Sequence, residues 1–544
     1  MPHRSPDLAR LAMTVLQPGF DGTAPPDWLR RALAEGLGGT VLFARNLTGP
    51  ARAAELVATL RAENPAVVIA VDEEGGAVTR LEAVTGSSWP GNRALGVGDD
   101  VERTWLVARE IGRLLAAADI TLDYAPVADV NADPANPVIG VRSFGPEPEL
   151  VSRHTAAWIS GLQSAGVAAC AKHFPGHGDT VTDSHHALPT VHASRETLAE
   201  RDLPPFRTAI GAGVRAIMCG HLLVPALDPD VPATLSRRVL TGLLREELGF
   251  DGVLVTDAIE MRAVAALHPP GEIAVRALAA GADAVCAGVS SPGGESVYAL
   301  RDAIVDAVRD GRLPEERLAE AASRVLALSA WYAAGAPARA AGDPRDTPGG
   351  GTDIGLEAAR AAMRVVAVAE DRTPPPPPGP SAPAPAPVPA AVGRSAGARQ
   401  LPRPGSPQAL PRAAAAGSAV LAGAPLVVDI APPPNPAVGP ATPAGIAAAL
   451  AELLPGTVAH TVTAEAAELP DVTDRERPLV LVVHDARRHA WVVDLLARAV
   501  GLRPDAVVVE TGLPGEPTGA VYVTTNGISR ASARAVAHRL TAGQ

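Results

Sequence analysis

Over roughly the first 335 residues, short apolar runs alternate with stretches whose apolar positions recur every three or four residues. Eight runs read as strands: Leu11–Leu16, Thr40–Phe43, Val67–Asp72, Ile120–Val127, Val167–Lys172, Ala216–His221, Gly252–Asp257 and Ala282–Ala287. Between them, Trp28–Leu33, Ala53–Leu60 and Trp105–Leu115 carry the helical period. Continuous rather than alternating apolar strands, separated by helices, imply a parallel sheet covered on both faces. Eight such units close a (β/α)8 TIM-type barrel, and the stretch has the length that fold needs. A doubly wound open sheet is the competing topology; the strand count favours the barrel.

Barrel chemistry gathers at the C-terminal ends of the strands. Those positions hold Asp72-Glu73-Glu74-Gly75-Gly76, Asp123, the segment Lys172–His185, His221 and Thr256-Asp257. Core packing would not place an ionisable side chain at the end of strand after strand.

Beyond the barrel the texture changes. Residues 336–350 are rich in Gly, Ala and Pro, and Leu356 to Ala367 reads as a helix leading into a short apolar strand. Pro374–Pro389 is a proline tract, with low complexity continuing to about Gly417. Such composition buries too little apolar surface to fold and is expected to be extended. Strand-like runs return at 426–428, 479–483, 506–509 and 521–524. The expected organisation is therefore a catalytic barrel over 1–338 and a connector opening the second domain over 339–372. A proline-rich insertion over 373–417 and a smaller C-terminal α/β domain over 418–544 complete it.

Composition narrows the function. The 544 residues carry 59 acidic and 47 basic side chains, a net charge of −12. A nucleic-acid binder would need a basic face, so no nucleic-acid partner is expected. The apolar run Leu11–Leu16 ends at Gln17-Pro18, too short for a signal-peptide core or a membrane span. The reading is a cytoplasmic protein with no membrane partner. Cys170, Cys219 and Cys286 each lie inside an apolar run without paired spacing, as small buried thiols do.

Lys172 is the only lysine; every other basic side chain is arginine. Ammonium is a compact charge with three rotatable donors, whereas guanidinium is a flat fork, so a crowded polar site has reason to keep the one lysine. Its neighbours run Lys172-His173-Phe174-Pro175-Gly176-His177-Gly178-Asp179-Thr180, then Asp183-Ser184-His185. His173, His177, His185 and His186 with Asp179 and Asp183 invite a zinc reading, but no closed ligand set can be assembled. No metal and no other cofactor is expected. Asp183, two residues before His185, can hold one ring nitrogen and leave the other free to transfer protons. Nothing like a G-x-S-x-G turn surrounds Ser184, which argues against a serine nucleophile. Asp257, at a strand end, could act as nucleophile, base or ligand, or simply cap a helix.

The segment from Lys172 to Thr180 with Asp183-Ser184-His185 and Leu188-Pro189 resembles the signature of glycoside hydrolase family 3. More narrowly it resembles the bacterial β-N-acetylglucosaminidase branch of cell-wall recycling. Val71-Asp72-Glu73-Glu74-Gly75-Gly76-Ala77-Val78-Thr79-Arg80, Tyr124–Val130 and Ile139–Gly145 fit the same family. The resemblance covers about residues 10–335; the C-terminal domain is similar to the α/β sandwich of two-domain members. It implies Asp257 as a nucleophile forming a covalent glycosyl-enzyme, with His185, paired with Asp183, as general acid/base. It also implies that Asp72, Arg80, Arg142, Lys172 and His173 hold a terminal N-acetylglucosamine, making the partner an N-acetylglucosamine-containing saccharide. Asp123, Asp129 and Glu260 are assigned only hydrogen bonding at the barrel mouth. Three alternatives stay open: phosphorolysis, which a histidine acid/base tolerates because it does not repel phosphate; a β-glucosidase using Glu510 or Glu516; and a non-catalytic sugar-binding protein. No oligomeric state is implied.

Overall fold

Runs of Val, Ile, Ala and Cys bounded by Gly, Pro and Asp form eight short strands in the computed structural model. Described are residues 6–335, 350–368, 420–433, 438 and 445–542. The strands are β1 (Leu16–Pro18), β2 (Gly39–Leu42), β3 (Val68–Val71), β4 (Leu122–Asp123), β5 (Ala168–Phe174), β6 (Ala216–Cys219), β7 (Val253–Thr256) and β8 (Val285–Ala287). β2 to β7 lie side by side in chain order, all parallel. β1 pairs in parallel with β8, and a bridge between Val255 and Ala284 joins β7 to β8. Between β1 and β2 there is no ladder. Pro18 has no N–H to offer, and the Thr40 hydroxyl donates to its carbonyl at 2.7 Å. This is a (β/α)8 barrel with one seam.

The interior is packed, with Val41, Val68, Tyr124, Cys170, Met218 and Cys286 among its layers. A far larger apolar cluster lies between the strands and the surrounding helices. All three cysteines are buried free thiols.

Two strand expectations need correction. Leu11–Leu16 is mostly helix: residues Pro6–Thr14 are helical and the strand begins only at Leu16. Leu8, Ala12 and Met13 are buried on one helical face, so the three-to-four-residue period prevailed over the apolar run. Ile120–Val127 shortens to Leu122–Asp123 because Pro126 interrupts the ladder. Pairing with β5 continues irregularly, Lys172 N–H donating to the Pro126 carbonyl at 3.1 Å and Ala128 N–H to the Lys172 carbonyl at 2.6 Å.

The second unit is a six-stranded sheet. Its strands are β9 (Arg364–Ala367), β10 (Leu426–Ile430), β11 (Val458–Val462), β12 (Leu479–Val483), β13 (Val507–Glu510) and β14 (Val521–Thr524), in the order β11-β10-β12-β13-β14-β9. All neighbours are parallel except β9, which runs antiparallel to β14. Val427, Val480, Val482 and Val523 face the helix Arg530–Thr541; Val428, Leu481, Val483 and Val508 face the helix Ala490–Leu502. The result is the three-layer α/β sandwich. Pro374–Pro389 and the low-complexity residues to Gly417 lie outside the described residues.

The sandwich rests on the barrel through specific contacts. Arg530 donates from its backbone to the Ser87 carbonyl at 2.9 Å and from its side chain to Glu82 at 3.0 Å. Arg364 reaches the Val97 carbonyl at 3.1 Å, and Arg487 the Pro134 carbonyl at 3.1 Å. The helix Gly350–Ala362 lies so close that a Cβ on Gly355 would stand 2.1 Å from the Ser88 oxygen. Among the described residues no helix is long and apolar enough to cross a membrane.

Candidate active site

Asp72 ends β3, and the two glycines beyond it turn the chain sharply. Gly75 and Gly76 have φ of 76° and 59°, and a Cβ on Gly76 would meet Gly91 backbone at 2.7 Å. The turn brings Glu74 back beneath Asp72, where both carboxylates meet Lys172 from β5. The Lys172 ammonium donates to Asp72 Oδ1 at 2.7 Å and lies 2.6 Å from Glu74 Oε1. Arg142 grips the same Glu74 with both ends of its fork, Nη2 to Oε1 at 2.7 Å and Nε to Oε2 at 2.9 Å. Arg80 stands 3.9 Å from Asp72 and donates to the Val438 carbonyl at 3.0 Å. Burial alone would raise the Glu74 carboxyl, but the charges of Arg142 and Lys172 outweigh it and hold Glu74 well below the ordinary carboxylate range. Burial works against the Lys172 ammonium too, yet Asp72 and Glu74 keep it above its usual value. Glu74, Lys172 and Arg142 are thus buried together in their charged forms, with Asp72 at the edge of the cluster.

A second cluster hangs from Asp129. Its carboxylate accepts the His173 ring Nδ1–H at 2.7 Å and the backbone N–H groups of His173 and His177 at 3.1 and 2.7 Å. With Nδ1 engaged, His173 turns Nε2 away from Asp129. Burial drives the His177 imidazole down to about 4, so this ring is neutral, with Nε2 3.2 Å from the Ser184 hydroxyl. Gly178 makes the turn possible: a Cβ there would lie 1.7 Å from the Val130 carbonyl oxygen.

The loop then delivers Asp183 and His185. One Asp183 oxygen accepts both the His185 backbone N–H and its ring Nδ1–H, each at 2.8 Å. The ring is therefore held with Nε2 free for proton transfer. Ala263 N–H donates to the Ser184 carbonyl at 3.2 Å and ties this loop to the segment after β7. That segment opens with Asp257, whose Oδ1 accepts the Ala258 N–H at 2.8 Å. Burial would raise the Asp257 carboxyl; His221, His173, the Ala258 amide and His185 together hold it below the ordinary aspartate value. The next helix starts only at Arg262, so Asp257 caps nothing.

Asp72, Arg80, Arg142, Lys172, His173, His185 and Asp257 all line one cavity of about 840 Å3, with Asp183 just behind His185. Glu260 also lines it, and burial pushes its carboxyl to about 7. Asp123 lies deeper, accepting the Glu73 N–H at 2.9 Å, and its carboxyl is raised well above normal by burial. Asp179 is drawn off to Arg201 at 2.7 Å, while His186 is 72% exposed. Among the described residues no three His, Cys, Asp or Glu side chains converge to hold a metal ion. Glu510 is buried in its own domain, accepting the N–H groups of Asp485, Ala486 and Gly512, and lines no part of this cavity. Glu516 is exposed and equally absent from it.

Among the residues of this site given no role from sequence, two matter most to its shape. Glu74 is the hub of the floor; the signal was a surplus of cations (Arg80, Arg142, Lys172) over the one carboxylate, Asp72, assigned to face them. Val438, a wall residue contributed by the second domain, has no sequence signal at all.

The model of the family described as glycosyl hydrolase family 3 N terminal domain matches residues 24–328. Beta-hexosaminidase A of Pseudoalteromonas piscicida is 33% identical over 344 residues, 59% of this chain and 56% of that one. The chain thus spans little more than half the length of that relative. A beta-hexosaminidase of Pseudomonas aeruginosa is 40% identical over 255 residues, 45% of this chain and 74% of that one. Among solved structures, a glycoside hydrolase family 3 beta-N-acetylglucosaminidase from Paenibacillus sp. str. FPU-7 superposes with a TM-score of 0.79 at 32% identity. It covers 98% of this chain and 96% of that one.

Proposed function

The chain belongs to glycosyl hydrolase family 3, and from that premise we propose that it is a retaining exo-β-N-acetylglucosaminidase. It would remove terminal β-linked N-acetylglucosamine from peptidoglycan-derived fragments or related glycosides in the cytoplasm. The observation that carries the reading is one cavity shared by Asp257, whose carboxyl is held below its ordinary value and forms no ion pair among the described residues, and a His185 whose ring is oriented by Asp183. The ionised floor supplies paired donors and acceptors for a polar ring.

In this reading Asp257 attacks the anomeric carbon while His185 Nε2–H protonates the departing oxygen. The C–O bond breaks as the aspartyl ester forms, through an oxocarbenium-like transition state. Asp183 stabilises the imidazolium before transfer and keeps the tautomer correct after it. Neutral His185 then takes a proton from water, whose oxygen displaces Asp257. Two inversions give retention. Beta-hexosaminidase relatives support the N-acetyl specificity.

The test is release of nitrophenol from 4-nitrophenyl N-acetyl-β-glucosaminide against the β-glucoside, with and without phosphate, in wild type and Asp257→Ala. Hydrolysis of the N-acetyl substrate, lost in Asp257→Ala, is expected. A sugar 1-phosphate product reassigns the acceptor to phosphate. Equal turnover by wild type and Asp257→Ala removes Asp257 as nucleophile.

A further inference from the structure

His185 rides on a long excursion of the chain after β5, and little holds that excursion in place. Its first part is pinned: Asp129 accepts the His177 N–H, Asn136 donates to the His177 carbonyl at 2.8 Å, and Asp133 N–H donates to the Gly178 carbonyl at 3.2 Å. Its far end is pinned where Leu223 N–H meets the Pro189 carbonyl at 2.9 Å. Among the described residues of the stretch between, 179–188, only Asp179 and Ser184 form hydrogen bonds or ion pairs with anything outside it. Ser184 does so through two long contacts, to His177 and Ala263, both at 3.2 Å. Val181, which could have anchored the stretch by burial, is 64% exposed instead. The one charged tie is Asp179 to Arg201.

Arg201 is itself held fast. It sits on a π-helical turn, Leu198–Asp202, inserted between the helical segments Arg195–Thr197 and Pro204–Gly211 and closed by the Leu203 N–H on the Leu198 carbonyl at 2.9 Å. Such insertions recur at functional sites, where they re-aim a side chain. The Arg201 Nε lies 3.2 Å from both oxygens of Asp202, and Nη2 lies 2.9 Å from Oδ2. Asp202 is buried and abuts the root of the same loop: a Cβ on Gly176 would stand 2.8 Å from the Asp202 Cβ. One side of the fork is thus spent on a fixed carboxylate, and Nη2 also donates to Asp179 Oδ2 at 2.7 Å. Asp202 against Gly176 and Arg201 on Asp179 bracket the base of the loop from one side.

Given the reading of His185 as general acid/base, we propose that Arg201 is a positioning residue for it. By holding Asp179, Arg201 sets the take-off of the arm that carries Asp183 and His185, and so the place of the His185 Nε2. Neither Arg201 nor Asp179 lines the cavity. The effect of losing Arg201 is therefore confined to steps that move a proton through His185. A misplacement of about 1 Å is enough to cost such a step roughly a hundredfold.

The test varies the need for a proton. Phenolate leaves poorly and needs the acid, whereas 2,4-dinitrophenolate leaves unaided. kcat/KM is measured on phenyl and 2,4-dinitrophenyl N-acetyl-β-glucosaminide with wild type, Arg201→Met and Asp179→Asn, and with His185→Ala as the reference. In Arg201→Met the phenyl value should fall about 30- to 100-fold and the dinitrophenyl value less than about threefold. kcat on the dinitrophenyl substrate should fall as well, because breakdown of the glycosyl-enzyme needs the base, and azide should restore it. Azide has no proton to lose: its nitrogen bonds to the anomeric carbon as the ester bond to Asp257 breaks, and the glycosyl azide is released. An equal loss on both substrates, as a general loosening of the site would give, or no loss on either, overturns the proposal. Should Arg201→Met not fold, Asp179→Asn, which alters only the loop side of the contact, decides by the same criterion. Equal losses on both substrates in His185→Ala strike the acid/base reading and the role of Arg201 with it. Failure of wild type to hydrolyse either substrate strikes the glycosidase reading itself.

Discussion

Glu74→Gln is the sharpest perturbation of the cavity floor. The native carboxylate takes three charged contacts, from Lys172 at 2.6 Å and from Arg142 at 2.7 and 2.9 Å. Glutamine keeps the shape and one oxygen, but its amino group must then face a side chain that carries only donors. Lys172 retains Asp72, and Arg142 retains the Val138 carbonyl at 3.2 Å. Both cations remain buried, at 2% and 7% exposure, so neither recovers its hydration. Removing one member of a buried ion pair costs about 3–5 kcal/mol. In a barrel of this size, where the unfolding entropy is about 0.7 kcal/mol/K, that lowers the midpoint by roughly 4–7 °C. Tryptophan fluorescence during heating is a suitable readout, because all the tryptophans except Trp491 lie in the barrel. The companion variant replaces Glu74 and Arg142 together by methionine and leaves Lys172 paired with Asp72. Without uncompensated charge it should melt above Glu74→Gln although it cannot bind sugar. A midpoint for Glu74→Gln within about 2 °C of wild type, with the double methionine variant no more stable than the single, would refute the argument that the lattice is held by charge balance.

Three further outcomes follow from other parts of the site. Asp183→Asn keeps the contact to His185 but not the charge, so kcat should fall about 10²–10⁴-fold with KM little changed; steady-state kinetics on the nitrophenyl substrate checks it. Burial raises the Glu73 carboxyl to about 7 from an unfolded value of 4.5. The native state therefore binds the extra proton, and this group's contribution to stability is full below pH 4.5 and lost as pH climbs through 7. Glu73→Gln removes that loss, so its melting temperature relative to wild type should rise between pH 5 and pH 8; a constant difference contradicts the assignment. Gly178→Ala places a methyl 1.7 Å from the Val130 oxygen. The loop must move, taking Asp183 and His185 with it, and kcat should drop far more than the melting temperature.

The barrel was legible because its strands are continuous apolar runs ending in ionisable residues, and that pattern placed Asp72, Lys172 and Asp257 around one mouth. Errors came where two signals overlapped. Leu11-Ala12-Met13 is apolar enough for a strand yet sits on a helical face, and only the buried Leu8 one turn earlier discriminates. Near Tyr124 the run was right but Pro126 cut the regular ladder short. Glu74 was hidden by its company: in Asp72-Glu73-Glu74 nothing local says which carboxylate the glycine turn will fold under Lys172. Glu73 is buried elsewhere, accepting the backbone amides of Arg80 and Leu81 at 2.8 and 3.0 Å. Val438 was beyond reach, since its place depends on how two domains meet rather than on any pattern in the chain.

Strand β9 has a consequence for how the molecule would respond to a protease. It precedes residues 369–419 in the chain, yet it closes the edge of a sheet whose other strands all follow them. A backbone cut in that interval would leave β9 on one fragment and the other five strands of its sheet on the other. The barrel-bearing fragment would still hold its partner through the β9–β14 ladder, the Asn526 amide bonded to the Ala362 carbonyl at 3.1 Å, and Arg530 against Ser87. Two bands on a denaturing gel would then travel as one species on a sizing column. The second domain is, in that sense, already a complex of two segments of one chain.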